Sequence, residues 1–261
     1  MMTAVDFSAF VDELASLSGA AILPFFRSSL AASDKNEGGL FDPVTEADRA
    51  SEVVMRKRIR EVFPHHGIVG EEFGSENADA EFVWVLDPID GTKAFISGLP
   101  LWGTLIGLTR NGSAAYGMMN QPFTKERFFG DGGKATLKSP QGERTLKTRA
   151  CASLKDATLS STSMTMFNTK EAEAFRRVEA AARLTRFGYD CYAYCMVAAG
   201  FMDLVIEANL KPYDVVALIP IIEGAGGIMT TWDGKPATEG GRIIAAGDKR
   251  VHAEALELLN R

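Results

Sequence analysis

Cysteine is scarce in this chain: three residues in 261, Cys151, Cys191 and Cys195. An odd count excludes a fully paired disulfide framework, and the step from Cys191 to Cys195 falls in an apolar, helix-like segment rather than in a zinc spacing. Buried free thiols are expected. Histidine is equally rare: His65 and His66 read as loop residues and His252 as part of a terminal helix, all three expected to be solvated. There is no basic run, and the net charge of −6 argues against nucleic acid as the main partner. No apolar window reaches the length of a membrane span, and Met1 to Phe10 lacks the basic-then-apolar order of a signal peptide. The expectation is a cytoplasmic protein with no membrane contact. No internal repeat and no low-complexity segment interrupts the chain.

What is present is apolar periodicity of both kinds. Phe7, Phe10, Val11, Leu14, Leu17, Ala21 and Ile22 predict an amphipathic opening helix that Pro24 need not end. Thr45-Glu46-Ala47-Asp48, followed by Val53, Val54, Ile59 and Val62, predicts an N-capped second helix with acids in its first turn. Strands are expected at 82–86, 103–109, 113–119 and 126–130, with Asn111-Gly112 as a hairpin turn and an antiparallel arrangement. Residues 130–155 are polar and rich in turn signals. Helices at 169–184 and 189–200 and a strand at 203–207 follow; the chain closes as helix 214–224, strands 227–231 and 242–246, and helix 249–259, with Pro220 a candidate kink. A lobe boundary near 150 divides the chain into 1–150 and 151–261. The periodicity alone gives mixed α and β.

The chemistry concentrates at the end of the apolar run Phe82 to Leu86, where Asp87-Pro88-Ile89-Asp90-Gly91-Thr92 follows. Two carboxylates three residues apart repel each other unless something positive sits between them, and a divalent cation with oxygen ligands answers that. Pro88 narrows the ways the turn can relax. Gly91 and Thr92 offer backbone N–H groups and a hydroxyl to an anion at the start of a following helix, so a metal site and a phosphate site would adjoin.

Gly70-Glu71-Glu72 upstream, Trp84 to Thr92, and Pro212-Tyr213-Asp214 downstream resemble the inositol monophosphatase family of Mg-dependent, lithium-sensitive phosphatases, whose two signatures match Trp84–Thr92 and Tyr213–Gly227. The resemblance runs from about Val44 to the C-terminus. It implies an α+β fold, a layered αβαβα sandwich shared with fructose-1,6-bisphosphatase, in which the N-terminal lobe holds most metal ligands and the C-terminal lobe completes the metal and substrate sites. It also implies two or three Mg2+ ions and a homodimer. Asp87 would bridge two ions, Glu71 and the Ile89 carbonyl completing one site and Asp90 and Asp214 the other, with a third, weaker ion near Glu71. Hard oxygen donors without His or Cys suit Mg2+. Thr92 would sit beside the attacking water, with Asp48 accepting from its hydroxyl and Glu71 the third catalytic residue; Lys35 matches a metal-loop lysine. The plainer readings are an N-cap for Asp214, a turn former for Asp90, a solvated acid for Glu71 or Glu72, and a first-turn helix acid for Asp48.

Downstream of Thr92, Lys93-Ala94-Phe95-Ile96-Ser97-Gly98 departs from the inositol-specific form and resembles the histidinol-phosphatase branch, as do Arg186 to Tyr194 and Leu210 to Asp214. L-histidinol phosphate carries an ammonium and an imidazole, so its pocket should offer carboxylates. Asp190 and Glu207 are the candidates, joined by Gly91 and Thr92 on the phosphate; an N-cap and a strand-end acid are their plainer readings. Trp102 and Tyr192 are aromatics that usually serve the core. The competing readings are an inositol-1-monophosphatase or broad sugar or nucleotide phosphatase and, in another class, a binding protein of transcription complexes.

Overall fold

A computed structural model describes residues 7–28, 33–34, 43–44 and 46–261. Lys35 and the Thr45 cap lie outside the described residues. In chain order the elements are α1 (Phe7–Ile22), β1 (Ser33–Asp34), β2 (Pro43–Val44), α2 (Glu46–Val62), β3 (Gly67–Gly70), β4 (Gly74–Glu76), β5 (Phe82–Asp90), α3 (Thr92–Ile96), β6 (Gly103–Arg110), β7 (Ser113–Gln121), β8 (Glu126–Gly130), β9 (Ala135–Ser139) and β10 (Gly142–Thr145). Then come β11 (Thr158–Ser161), α4 (Thr169–Ala181), β12 (Leu184–Phe187), α5 (Asp190–Ala198), β13 (Leu204–Leu210), α6 (Pro212–Val215), α7 (Leu218–Gly224), β14 (Ile228–Thr231), β15 (Gly241–Ala246) and α8 (Lys249–Leu259).

β1 and β2 pair with each other, and the remaining strands form a large sheet, ordered β10-β9-β8-β7-β6-β5-β3-β4, and a smaller one, ordered β12-β11-β13-β15-β14. The large sheet is antiparallel except where β3 runs parallel to β5. α1 and α2 cover its outer face, α5 and α7 fill the space between the sheets, and α4 and α8 cover the far face of the small sheet. This is the αβαβα sandwich.

On the outer face, Phe10, Val11, Leu14, Met55 and Ile59 meet Trp84, Leu86, Ile106 and Leu108. Each such side chain, removed from water, contributes about 1.5–3 kcal/mol. Between the sheets a second cluster joins Leu105, Met119 and Phe128 to Val197, Val216 and Ile221. Contact there is close because Gly107, Gly117 and Gly130 lie directly across from one another on β6, β7 and β8. A Cβ would fall 2.7 Å from Val216 Cγ1 at Gly107, 2.7 Å from the Ala217 carbonyl carbon at Gly117, and 2.5 Å from Ile221 Cα at Gly130. The backbone between α6 and α7 lies in that trench.

Several expectations need correction. The opening helix ends at Ile22, before Pro24, in a succession of turns. The helix expected at 214–224 is broken at Val216 and Ala217 into α6 and α7. Pro220 has no N–H to bond the Val216 carbonyl, and it is tolerated in the first turn of α7. The polar stretch 130–155 contains the β9–β10 hairpin, whose outer strand is fully exposed and so lacks an apolar signature. The helix expected at 169–184 stops at Ala181, and Leu184 opens β12 instead. His66 is half-buried and His252 buried, so neither is simply solvated. His66 stacks on Phe63 at 4.5 Å and accepts from Trp84 Nε1 at 3.1 Å, and His252 is buried with Nε2 2.9 Å from the Thr230 hydroxyl. Burial lowers the pKa of both. All three cysteines are buried free thiols, and no described helix is long and apolar enough to cross a membrane.

Candidate active site

β5 does not stop at Leu86. It continues to Asp90, with Asp87 opposite Leu105, Asp90 opposite Gly103, and a bulge between them. A central strand tolerates proline only at such an irregularity, and the bulge takes up Pro88 and Ile89 while turning both aspartates toward the same end of the sheet. Gly91 follows at φ 87°, a left-handed conformation in which a Cβ would also meet the Leu101 carbonyl at 3.0 Å. The helix then begun, α3, is only five residues long.

Asp87, Asp90 and Asp214 each place a carboxylate oxygen within 4.8 Å of the others. Asp214 arrives from the other half of the chain, in the first turn of α6, where its Oδ2 accepts the Lys211 N–H at 2.6 Å. It therefore caps a four-residue helix from inside rather than serving as N-cap of a long one. Asp90 Oδ2 accepts the Cys191 N–H at 2.6 Å, tying β5 to the start of α5. Asp87 Oδ1 is buried and has no hydrogen-bond partner among the described residues. A buried carboxylate oxygen left bare among other carboxylates fits a hard cation, since the donors gathered here are all oxygen.

The electrostatics point the same way. Burial, then Glu71, Asp90, Asp214 and Asp48, push the Asp87 carboxyl well above the ordinary range. Burial, Asp190 and Asp214 do the same to Asp90. Asp214 is pushed up to about 7, mainly by burial, with Glu71 and Glu207 adding to the effect. A dication held by these carboxylates would reverse this repulsion and keep them ionised at neutral pH.

Glu71 opens the turn between β3 and β4, its N–H bonded to the Leu86 carbonyl at 3.2 Å. Glu72, read as a possible solvated acid, has its side chain only 2% exposed and pairs with Arg49 at 3.5 Å. Asp48 is buried in the first turn of α2. The Thr92 hydroxyl donates to the Ile89 carbonyl at 3.0 Å. This differs from the expected Thr92-to-Asp48 bond: the short α3 brings the hydroxyl back over the carbonyl three residues earlier.

Beside the aspartates is a small cavity of about 120 Å3, lined by Asp90, Asp190, Tyr194, Glu207 and Asp214 with Thr162. Larger grooves of about 570 and 690 Å3 lie away from this chemistry. Glu207, on β13, is buried; Oε1 accepts the Thr162 N–H at 2.8 Å and Oε2 the Tyr194 hydroxyl at 2.9 Å. Burial pushes its carboxyl up to about 7 against the pull of those two bonds. Asp190 is the first residue of α5 rather than its cap, at φ 45°. Its carboxyl is raised to about 6, burial outweighing the attraction of Lys93 and a bond with Thr162. Trp102 is core, packed with Phe26 and Phe95, and the Tyr192 hydroxyl donates to Glu126 at 2.6 Å.

Sequence reasoning missed Thr162, Tyr194 and Lys93 as site residues. Tyr194 was within reach, since it stands one helical turn after Asp190 and so on the same face. Thr162 contributes its backbone N–H to Glu207, which no residue type announces, besides its bond with Asp190.

The profile of the Inositol monophosphatase family matches residues 6–261. Among curated proteins, the Bifunctional phosphatase IMPL2, chloroplastic, of Arabidopsis thaliana is 42% identical over 97% of this chain and 75% of its own length. The Histidinol-phosphatase of Mycobacterium tuberculosis is 33% identical over 84% of this chain and 85% of its own. Among solved structures, an inositol monophosphatase from Zymomonas mobilis superposes with a TM-score of 0.87 at 38% identity, covering 98% of this chain and 100% of the other.

Proposed function

This chain belongs to the inositol monophosphatase family of metal-dependent phosphomonoesterases, and within it we propose a histidinol-phosphatase that converts L-histidinol phosphate to L-histidinol and phosphate in histidine biosynthesis. The observation that carries the reading is the pairing of two further carboxylates, Asp190 and Glu207, in the cavity that already contains Asp90 and Asp214. A neutral polyol has no positive charge to set against them, whereas an ammonium and an imidazole do. The name borne by the Mycobacterium relative lends support.

In this reading Glu71, Asp87, Asp90, Asp214 and the Ile89 carbonyl hold Mg2+. When bound, Mg2+ supplies a water acidified to near neutrality and charge neutralisation on the phosphoryl oxygens. Asp48 and Thr92 flank the attacking water and orient it, the Thr92 hydroxyl exchanging its Ile89 contact for that role. The N–H groups of Gly91 and Thr92 receive the phosphate. Asp190 and Glu207 hold the cationic end of the substrate, and Lys93 tunes how much charge Asp190 presents. Assembly as a homodimer is part of the proposal and is checked by sedimentation.

The Zymomonas structure, described as an inositol monophosphatase, supports the second reading, in which the Tyr194 hydroxyl and Glu207 serve ring hydroxyls. The test is a substrate panel in Mg2+: histidinol phosphate, inositol 1-phosphate, fructose 1,6-bisphosphate and adenosine 3',5'-bisphosphate. Histidinol phosphate should lead in kcat/KM by about tenfold or more, because unpaired buried carboxylates penalise a neutral ligand. A higher value for inositol 1-phosphate would retire the histidinol reading.

A further inference from the structure

Glu52 is fully buried on α2, one helical turn after Asp48. Its Oε2 accepts the Glu72 N–H at 2.7 Å, and its Oε1 accepts the Phe73 N–H at 3.2 Å and Arg56 Nε at 2.6 Å. Arg56, 3% exposed, donates onward to Glu76 Oε1 at 2.9 Å and to the Gly74 carbonyl. The turn from β3 to β4 is thereby fixed amide by amide. The Glu71 N–H is held by the Leu86 carbonyl, next to Asp87, and the following two are held by one carboxylate. Gly70 admits this arrangement, since a Cβ there would fall 2.5 Å from Glu52 Cδ.

We infer that Glu52, oriented by Arg56, is a positioning residue that aims Glu71 at the metal cluster and so sets the cation affinity of the site. Three donors converge on Glu52, which therefore has to be an acceptor-only group; an amide would turn an N–H toward one of them. Replacing both members of a buried ion pair by apolar residues is often harmless to stability, whereas removing one partner leaves the other charge buried and uncompensated. What the Glu52 carboxylate adds beyond that pair is its hold on the turn, through the Glu72 and Phe73 amides. Because Asp48 and Glu52 lie on one face of α2, a single helix places one carboxylate near Asp87 and holds the turn that carries Glu71. The inference rests on the metal-site reading above.

The experiment is Mn2+ binding to the full chain by electron paramagnetic resonance, which needs no substrate and no activity. Glu52→Gln should weaken Mn2+ binding by about tenfold, in the range found when groups behind metal ligands are altered. The Mg2+ concentration for half-maximal activity should rise in parallel, while kcat at saturating Mg2+ changes by less than about threefold. The amides of Glu72 and Phe73 should lose hydrogen-exchange protection. Arg56→Lys keeps the charge but loses the planar fork; it should show the same effects in smaller measure, and it serves if Glu52→Gln fails to fold. Asp12→Asn, which breaks the Arg127 pair on α1, controls for general destabilisation and should leave Mn2+ binding unchanged. Unaltered Mn2+ affinity in a folded variant, or an equal loss in the control, overturns the inference. A wild-type protein that binds no Mn2+ overturns the metal-site reading itself, before any variant is compared.

Discussion

Replacing Glu207 by glutamine should make the metal-free protein more stable, and increasingly so as pH rises. The folded carboxyl is pushed from 4.5 to about 7, first by burial and then by Asp190, against hydrogen bonds from Thr162 and Tyr194. Below pH 4.5 both folded and unfolded chains carry the proton and nothing is lost. Between 4.5 and about 7 the folded chain retains a proton that the unfolded chain releases, so stability falls with rising pH; above about 7 the whole penalty is present. At about 1.4 kcal/mol per tenfold, the ceiling is about 3 kcal/mol at pH 8 and under about 1 kcal/mol at pH 5. Glutamine is nearly isosteric and can satisfy both neighbours: its oxygen accepts the Thr162 N–H, and its amide donates to the Tyr194 hydroxyl once that group rotates. Urea unfolding in EDTA should therefore show Glu207→Gln stabilised by about 1–3 kcal/mol at pH 8, worth roughly 2–4 °C in Tm per kcal/mol, with little difference at pH 5. In Mg2+ the same variant should lose about tenfold in kcat/KM for histidinol phosphate yet retain hydrolysis of p-nitrophenyl phosphate within about threefold. A variant destabilised at pH 8, or shifted equally at both pH values, would refute the argument from burial.

Three further outcomes are expected. Thorough chelation should abolish phosphate release and restored Mg2+ should recover it, as measured by inorganic phosphate; activity surviving chelation would remove the metal from the mechanism. Asp87→Asn should reduce kcat/KM by about a hundredfold or more, because several kcal/mol of charge stabilisation go with it, whereas Glu72→Gln, which touches Arg49, should stay within about threefold; comparable losses would mean that the ligands are wrongly chosen. Asp190→Asn should erode the preference for histidinol phosphate over inositol 1-phosphate, and Lys93→Met should erode it in smaller measure, because the lysine's charge opposes the burial that drives a proton onto Asp190; steady-state competition between the two substrates reads both, and a gain in preference for Lys93→Met would put that lysine elsewhere.

Asp87 and Asp90 were legible because their chemistry is local: two acids, a proline and a glycine after an apolar run leave few alternatives. That β5 runs on through Pro88 was not, since the bulge that admits the proline is set by pairing with β6. β3 and β4 escaped notice because strands of four and three residues do not establish a period. Glu71, Asp214 and Glu207 could be singled out only through resemblance, as each is an ordinary acid in its own neighbourhood. Glu52 gave no signal at all. In sequence it is one more charge on a charged helix, and only the folded chain shows that its partners are the amides of residues twenty positions away. The histidines were misjudged for a related reason: a loop position predicts exposure, but His66 stacks on its near neighbour Phe63 and is covered as well by Phe82, which tertiary packing brings to it.

The row of glycines across β6, β7 and β8 makes the candidate metal centre vulnerable from a direction no inspection of its carboxylates would reveal. Asp214 is carried by the segment lying in that trench, so its distance from Asp87 and Asp90 is fixed by the absence of three side chains on the sheet beneath. A methyl group at Gly117 would have to push the Ala217 carbonyl outward, and the movement would be passed through one turn of α6 to the aspartate. A related chain could thus keep every carboxylate named here and still be inert. Gly117→Ala should show this directly, as a folded protein with weakened Mn2+ binding; wild-type binding would mean that the trench has slack. Descent within the family is therefore insufficient to infer activity unless the glycines are inherited together with the acids.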